Sequence, residues 1–256
     1  MDMKDLIGQQ LKQTVAGYIP SGPVQSAWKD PLIGFANAED PLFKHLKQVV
    51  HPGHLLPKDL LKGAKSVIVY FLPYTEAIVS SNVHGESPSR QWAYAYSQTN
   101  GLIAIIHSEL TTLLESKGYR ACTIPPTHNF DPVSLMSAWS HRHAAYIAGL
   151  GTFGLHRLLI TENGCCGRIG SLVTDLELTP DKRINGNHCL YFQNGSCAVC
   201  LERCPCDALQ KDTFDRRKCY ERLLENESHL NLEGRSDVCG KCSCGLPCSL
   251  QNPVIP

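Results

Sequence analysis

No stretch of this sequence is long and apolar enough to span a membrane. The longest uninterrupted apolar run, Val67 to Pro73, falls far short of the ~18 residues a spanning helix needs. Charge of one sign is also lacking: Lys+Arg and Asp+Glu both number 24. A chain without a net field gives no reason to expect a polyanion to be drawn to its whole surface. There is no internal repeat and no low-complexity tract, which excludes solenoids and disordered arrays. The opening residues, Met1-Asp2-Met3-Lys4-Asp5-Leu6, carry no apolar signal region, so the expected location is the cytoplasm. What is present is an ordinary globular balance, 43% hydrophobic and 19% charged over 256 residues. That suffices for one large domain or two modest ones with a real core.

Periodicity supplies the elements. Residues 1–20 read as a helix from Leu6, Leu11, Val15 and Tyr18, broken at Pro20-Ser21-Gly22-Pro23. Residues 40–65 read as short helices and loops. Ser66 to Leu72 is β-branched and aromatic, the pattern of a central strand buried on both faces. Residues 80–89 read as a loop, and Thr99 to Lys117 as a helix capped by Gly118. Tyr119 to Ile124 reads as a second strand, with Cys122 in its core. Ser134 to Ala148 reads as a helix closed by Gly149-Leu150-Gly151. Leu155 to Thr161 and Arg168 to Leu178 read as a strand pair joined around Asn163-Gly164. From Leu190 onward the chain is loop-rich. The break in character near residues 180–188 divides an α/β body, residues 1–183, from a small metal-stabilised module, residues 184–256.

Cysteine is the outstanding feature. There are thirteen, an odd number, and all but Cys122 lie at or beyond Cys165. Such clustering points to metal binding more than to disulfides or scattered core thiols. Cys197-Ala-Val-Cys200-Leu-Glu-Arg-Cys204-Pro205 has the C-x2-C-x3-C-P spacing of bacterial ferredoxins, in which the last cysteine serves the other cluster. Two thiolates two residues apart reach adjacent irons of one cube, and the proline turns the chain away. Cys239-Gly-Lys-Cys242 repeats the short spacing, with Cys248 beyond it. Crossed ligation assigns Cys189, Cys197, Cys200 and Cys248 to one [4Fe–4S] cluster and Cys204, Cys219, Cys239 and Cys242 to a second. Zinc also suits paired C-x2-C, but the proline favours iron–sulfur. Cys206 and Cys244 lie close enough in sequence to substitute, although neither is needed. Cys165-Cys166 is expected in a turn without a ligand role.

Ala148-Gly149-Leu150-Gly151-Thr152-Phe153-Gly154, then Leu158-Leu159-Ile160, then Gly170 to Leu178, followed by the cysteine run, resemble the epoxyqueuosine reductase family. Corrinoid reductive dehalogenases share that layout. The resemblance spans roughly residues 65 to 250 and takes Ser66 to Tyr74 as the family's early strand. It implies an α+β or α/β body of nitroreductase-like fold that holds cobalamin, followed by a two-cluster ferredoxin-like module that delivers electrons to cobalt. By themselves Gly149 and Gly151 read as helix terminators. The resemblance implies instead a cofactor-binding loop of Gly149, Leu150, Gly151, Phe153 and Gly154, where the main chain approaches a flat corrin. It implies that His156 touches a corrin edge or the substrate.

The family's general acid is an aspartate before the glycine loop, and Phe130-Asp131-Pro132-Val133 is the counterpart here. The stretch from Asp131 to Gly149 is about one helical turn longer than the family pattern, so Asp131 competes with a helix-capping role. His141 is a second candidate proton donor, while His143, two positions on, faces elsewhere. Tyr70, Tyr74, Tyr94 and Tyr96 read as core or pocket walls. The family commonly carries a further C-terminal helical extension that engages tRNA. This sequence ends at Pro256, and with zero net charge the expectation is a short form for which tRNA is an unlikely partner. The expected activity is a reductase that passes electrons from two clusters to cobalamin, with a small or nucleoside-like substrate and a donor such as ferredoxin or flavodoxin. The rival expectation is an electron carrier, or a protein that reduces a partner's corrinoid without a substrate of its own.

Overall fold

The structure is a computed structural model and describes residues 2–20, 24 and 27–254. The break expected over Ser21, Gly22 and Pro23 lies outside the described residues. The first half contains α1 (Met3–Gly17), β1 (Leu32–Asn37), α2 (Pro41–Val49), α3 (Pro57–Leu60), β2 (Ser66–Pro73), α4 (Glu76–Ser81), α5 (Arg90–Ser116) and β3 (Ala121–Thr123). The second contains α6 (His141–Ile147), β4 (Gly151–Phe153), β5 (Leu159–Thr161), β6 (Gly167–Thr174), α7 (Leu190–Asn194), α8 (Val199–Glu202) and α9 (Arg216–Leu230).

Every residue of β2 is buried, as its continuous apolar run dictates. It lies inside a four-stranded sheet of order β1-β2-β6-β3, and every pairing in that sheet is antiparallel. Alternation along β2 builds two cores. Ile68, Tyr70 and Leu72 pack with Ile7 and Leu11 of α1 and with Leu102, Ile103, Ile106 and Leu110 of α5. Val67 and Val69 pack with Phe43 and Leu46 of α2, Trp139, and Ala144 and Ile147 of α6. A third core joins Tyr74, Trp92 and Leu155 to Cys189, Cys200 and Leu246, so the cysteine-rich segment shares its apolar interior with the body.

Several elements depart from the sequence expectation. α5 begins at Arg90, nine residues before Thr99, because Ser89 caps it by accepting from Trp92 N at 3.0 Å; Tyr94 and Tyr96 therefore ride on this helix. α4 extends to Ser81, into the expected loop. Ser134 to Ser140 is not helical: Leu135 has φ +55°, Phe130 bridges Ser137, and the helix starts only at His141, where Ser140 caps it. The segments 155–161 and 168–178 do not pair with each other. β5 pairs with β4 in a separate two-stranded sheet, while β6 fills the gap between β2 and β3. α9, fifteen residues within the segment read as loop-rich, is capped by Asp215 and closed at Asn231 with φ +44°.

Candidate iron–sulfur and cofactor site

The cysteine module is shaped by short helices that turn their ends toward common points. Cys189 stands at the N-cap of α7, and Gly195 (φ +76°) ends that helix after one and a half turns. Cys200 lies in α8. Together with Cys197 and Cys248 they line a small cavity walled by Leu155, Leu246, Pro247 and Pro253. Burial and the neighbouring Cys248, Cys189 and Cys197 thiols push Cys200 up to about 12. Cys200 thus resists ionisation in these apolar surroundings, and a shared cation reverses that by replacing its proton.

Cys204, Cys219, Cys239 and Cys242 form a second group. Cys219 on α9 is pushed up to about 12 by burial and by Cys206, Cys239 and Cys204. Cys242 is raised by burial and by Cys239, Cys219, Cys204 and Cys200. The two groups are thus neighbours. Lys241, between Cys239 and Cys242, is buried and donates Nζ to the carbonyls of Asn82 (2.9 Å) and His84 (2.7 Å). A buried ammonium satisfied only by carbonyls favours nearby anionic sulfur. Cys206 Sγ sits 3.9 Å from Cys204 Sγ, so it is a fifth thiol at this group. Cys244 turns away and lies 4.0 Å from Cys166 Sγ.

A cleft of about 360 Å3 opens between the ends of β2 and β6, the start of α6 and the segment 126–137. Phe71, Leu158 and Ile169 supply apolar wall, and Thr127, Ser137, Arg142 and Arg168 supply polar groups. Among the described residues no carboxylate lines it. Arg168 stacks on Tyr96 at 4.2 Å and donates to Asn100 Oδ1 at 3.0 Å. Arg142 donates to the Arg157 carbonyl at 3.0 Å and interacts electrostatically with Cys242 and Cys219. α9 closes the far side: Tyr220 meets Phe130 edge to face at 5.6 Å, and Arg217 donates to the Val133 carbonyl at 2.9 Å.

The sequence-selected residues distribute unevenly around this cleft. His141 lines it but is fully engaged: Nε2 donates to the Pro125 carbonyl at 3.0 Å, and Nδ1 accepts from Ser171 Oγ at 2.8 Å. Ser171 in turn accepts from Trp139 Nε1 at 3.0 Å. Burial pushes His141 down to about 4, with the Pro125 bond opposing and Arg168 assisting. Asp131 does not line the cleft. Its exposed carboxylate accepts from Ser134 N (2.7 Å), Ser134 Oγ (2.8 Å) and Val133 N (3.2 Å), bonds that hold it below the usual carboxylate range. It therefore caps a turn, not a helix.

The glycine loop lies apart from the cleft. Gly149 has φ +76°, and an added Cβ would lie 2.4 Å from the Lys182 carbonyl oxygen; at Gly151 it would lie 2.3 Å from that of Ile160. Main-chain crowding within the fold requires both glycines. Gly149 and Leu150 line a second cleft beside Asp181 and His188. Phe153 packs on His143 at 4.7 Å, and a Cβ on Gly154 would meet the His156 ring at 2.6 Å. His156 faces the cysteines: Nδ1 accepts from Leu158 N at 3.1 Å, and Nε2 lies 3.5 Å from Cys248 Sγ. Sequence reasoning missed Cys165 and Cys166. Both are buried, Cys165 lines the first cleft, and both approach the Ser243 carbonyl. Their partners lie nearly eighty residues downstream, and no local motif signals the contact.

The buried histidines carry a pH prediction. His107 and His143 are, like His141, pushed down to about 4, chiefly by burial. Their folded values lie below the ordinary 6.5, so the unfolded chain binds more protons between about pH 4 and 6.5. Stability is present above that window and is lost as pH falls through it. Urea unfolding at stepped pH is expected to show this slope, and His141→Gln to reduce it by about one proton. An unchanged slope would remove His141 from the account.

No family model matches this chain. It is 26% identical over 265 residues to the epoxyqueuosine reductase of Bacillus anthracis, covering 93% of this chain and 64% of the relative. It is 26% identical over 233 residues to that of Vibrio cholerae, covering 88% and 58%. The chain thus spans about three fifths of the curated relatives it matches. Among solved structures, the epoxyqueuosine reductase of Bacillus subtilis, with its catalytic aspartate loop swung out of the active site, superposes at TM-score 0.60 with 18% identity, covering 100% of this chain and 68% of that one. An epoxyqueuosine reductase bound to an epoxyqueuosine-modified tRNA-Tyr stem loop superposes at 0.60 with 19% identity, covering 97% and 66%. A reductive dehalogenase whose structure suggests a mechanism for B12-dependent dehalogenation superposes at 0.56 with 18% identity, covering 98% and 37%. The tyrosine-flanked cleft and thiol groups thus sit in a mixed helix and sheet fold, and in sequence and in fold this chain is similar to the epoxyqueuosine reductases.

Proposed function

We propose that this chain is an iron–sulfur reductase of the epoxyqueuosine reductase type. Cys189, Cys197, Cys200 and Cys248 would hold one [4Fe–4S] cluster and Cys204, Cys219, Cys239 and Cys242 a second, and the clusters would supply electrons to cobalamin in the cleft for reduction of an electrophilic substrate. The observation that carries this reading is the convergence of eight thiols into two adjacent groups of four, the second of which interacts with Arg142 of the cleft. The all-sulfur donor sets suit iron–sulfur clusters. In this reading residues 1–183 are a nitroreductase-like body and residues 184–256 a ferredoxin-like module, and the abundance of free thiols suits the cytoplasm.

At about 360 Å3 the cleft has room for one edge of a macrocycle, with the rest outside its mouth, and its lining offers both apolar side chains and polar groups for an amide-bearing edge. Thr127, Ser137 and Arg142 would hold the amide edge, with Phe71, Leu158 and Ile169 against the ring face. When bound, cobalamin supplies a cobalt centre that accepts electrons singly and attacks or reduces the substrate. His141 fixes the Pro125 carbonyl and Ser171 and does not donate a proton, since both its nitrogens are engaged. Asp131 is the acid of this reading. It rides the segment 127–137, and the swung-out aspartate loop of the Bacillus subtilis relative supports an acid carried on such a loop. Its carboxylate becomes a donor only after leaving the Ser134 and Val133 hydrogen bonds that hold it ionised. The relative that binds a tRNA stem loop removes the ground for setting tRNA aside, so tRNA joins small electrophiles in the test.

Anaerobic reconstitution with iron, sulfide and cobalamin tests this function. The expected result is about eight irons per chain and one retained corrinoid. A colourless, zinc-loaded protein would end the redox reading, and clusters without retained corrinoid would turn it into a carrier. Asp131→Ala is expected to keep its iron and lose turnover by two orders of magnitude or more, within the ~10²–10⁴ range for a general acid. Unchanged turnover would remove Asp131 from the mechanism.

A further inference from the structure

We propose that Cys165 is the residue that couples the Cys248 sulfur group to the cleft, as a positioning thiol and not as a ligand. The proposal rests on the reading of the two cysteine groups as clusters. Both four-cysteine groups are complete without Cys165, yet it is buried, and it lines the cleft on one side. On the other side its sulfur lies within 4.8 Å of Cys248 Sγ and of the ligating nitrogen of His156.

The backbone enforces this position. Cys165 N donates to the Cys248 carbonyl at 2.9 Å, and Cys166 N donates to the Ser249 carbonyl at 3.1 Å. Two segments eighty-three residues apart in the chain thereby run side by side, with the Cys165 and Cys248 thiols adjacent. His156, Cys165 and Cys248 have the appearance of a three-ligand site for a single ion, but the histidine rules that out. Its Nδ1 accepts from Leu158 N, so in the neutral ring Nε2 carries the proton and points it at Cys248 Sγ, 3.5 Å away. A protonated nitrogen offers no lone pair to a metal. It is instead a hydrogen-bond donor to the Cys248 sulfur. The Cys165 thiol lies beside that sulfur and beside the Ser243 carbonyl (3.7 Å), and it becomes the second donor by turning its one proton from the carbonyl to the Cys248 sulfur once that sulfur is a thiolate.

Two physical consequences follow from donors placed on a ligand sulfur. They stabilise the reduced cluster, which carries one more negative charge, and so raise its reduction potential. A polarisable sulfur within 4.8 Å of the ligand that also borders the cleft shortens the gap an electron crosses. In each transfer one electron leaves a reduced cluster, which returns to its oxidised state, and is taken up by the acceptor bound in the cleft. An external one-electron reductant refills the cluster. Cys165 keeps its proton and is neither oxidised nor bonded to iron.

The test compares wild type, Cys165→Ala and Cys165→Ser, all cluster-loaded under anaerobic conditions. Iron and sulfide are measured first, and reductive titration with dithionite is then followed by electron paramagnetic resonance. The expected result is unchanged iron in all three, with one of the two cluster potentials shifted downward in Cys165→Ala. Cys165→Ser, whose hydroxyl also donates, is expected to restore that potential, while the second cluster stays unmoved throughout. Stopped-flow reduction of added cobalamin is expected to slow several-fold in Cys165→Ala. Loss of half the iron in both variants would make Cys165 a ligand and overturn the proposal. Equal potentials and rates in all three proteins would make it simple packing and overturn it as well. A wild type without iron and sulfide would instead defeat the underlying cluster reading, a result visible before any variant is compared.

Discussion

Cys204→Ala is expected to lose one cluster and keep the other, taking iron from about eight to about four per chain. The loss should be accompanied by a large drop in the stability of the C-terminal module, because metal binding supplies much of the folding free energy of such small domains. The reasoning is geometric. Cys204 follows α8, which carries Cys200, yet the two sulfurs serve different neighbours: Cys200 meets Cys248, Cys189 and Cys197, whereas Cys204 meets Cys206, Cys219, Cys239 and Cys242. Removing one ligand from a four-thiol group leaves an iron without its fourth bond. Cys206, 3.9 Å from Cys204, is the one nearby thiol placed to replace it, so the double variant Cys204→Ala, Cys206→Ala belongs in the experiment. Iron analysis and the paramagnetic signal of the reduced protein decide the outcome. Full iron in the single variant and half in the double would identify Cys206 as a substitute ligand. Full iron in both would sink the crossed partition.

The second large effect is expected at a residue that bears no functional group. Gly164 has φ +82°, and an added Cβ would lie 2.4 Å from the Ser249 carbonyl oxygen and 2.6 Å from the amide nitrogens of Leu250 and Gln251. These are backbone atoms of the segment that carries Cys248, held against Cys165 and Cys166 by the two hydrogen bonds described above and by Asn252 N to the Glu162 carbonyl at 3.1 Å. Gly164→Ala therefore combines left-handed backbone strain with a clash that a flexible side chain cannot relieve. A cost of about 3 kcal/mol or more is expected. Because the displaced segment holds Cys248, iron should fall together with the melting temperature. Gly195→Ala is the control. It has the same backbone hand (φ +76°) at the end of α7 with open space around it, so about 1–2 kcal/mol and intact iron are expected. If both variants melt alike and both keep their iron, the close approach of the two segments is not what seats Cys248.

Much of this was legible in the chain itself. The β2 run could only be a buried strand, since eight successive positions offer no polar face to water. The apolar steps of Ile103, Ile106, Leu110, Leu113 and Leu114 mark a helix with one apolar side. The cysteine spacing alone separates Cys204 from Cys200, because a ligand followed by proline leaves its local turn. The misread elements share one cause. Residues 168–178 read as the partner of 155–161 because that is the nearest strand-like neighbour upstream, but β6 pairs with β2, about a hundred residues earlier. Ser134 to Ala148 reads as helix by periodicity, yet the first half is held as turns by Asp131 and by Leu135 at φ +55°. Helix content in the module was hidden because α9 has few apolar residues and is positioned by Cys219, Tyr220 and Asn226.

The sequence by itself determined the local states that depend on nearest neighbours: the buried central strand, the long amphipathic helix, the helix-capping turns, and the grouping of thiols by spacing. Only the tertiary structure decided which distant segments meet. It set His156 and Cys165 against Cys248, left Asp131 on an exposed turn, and drew the glycine loop away from the cleft to accommodate the carbonyls of Lys182 and Ile160. The physical reason is that each of these contacts is stabilised by burial shared between segments remote in sequence, and no periodicity within one segment encodes its partner.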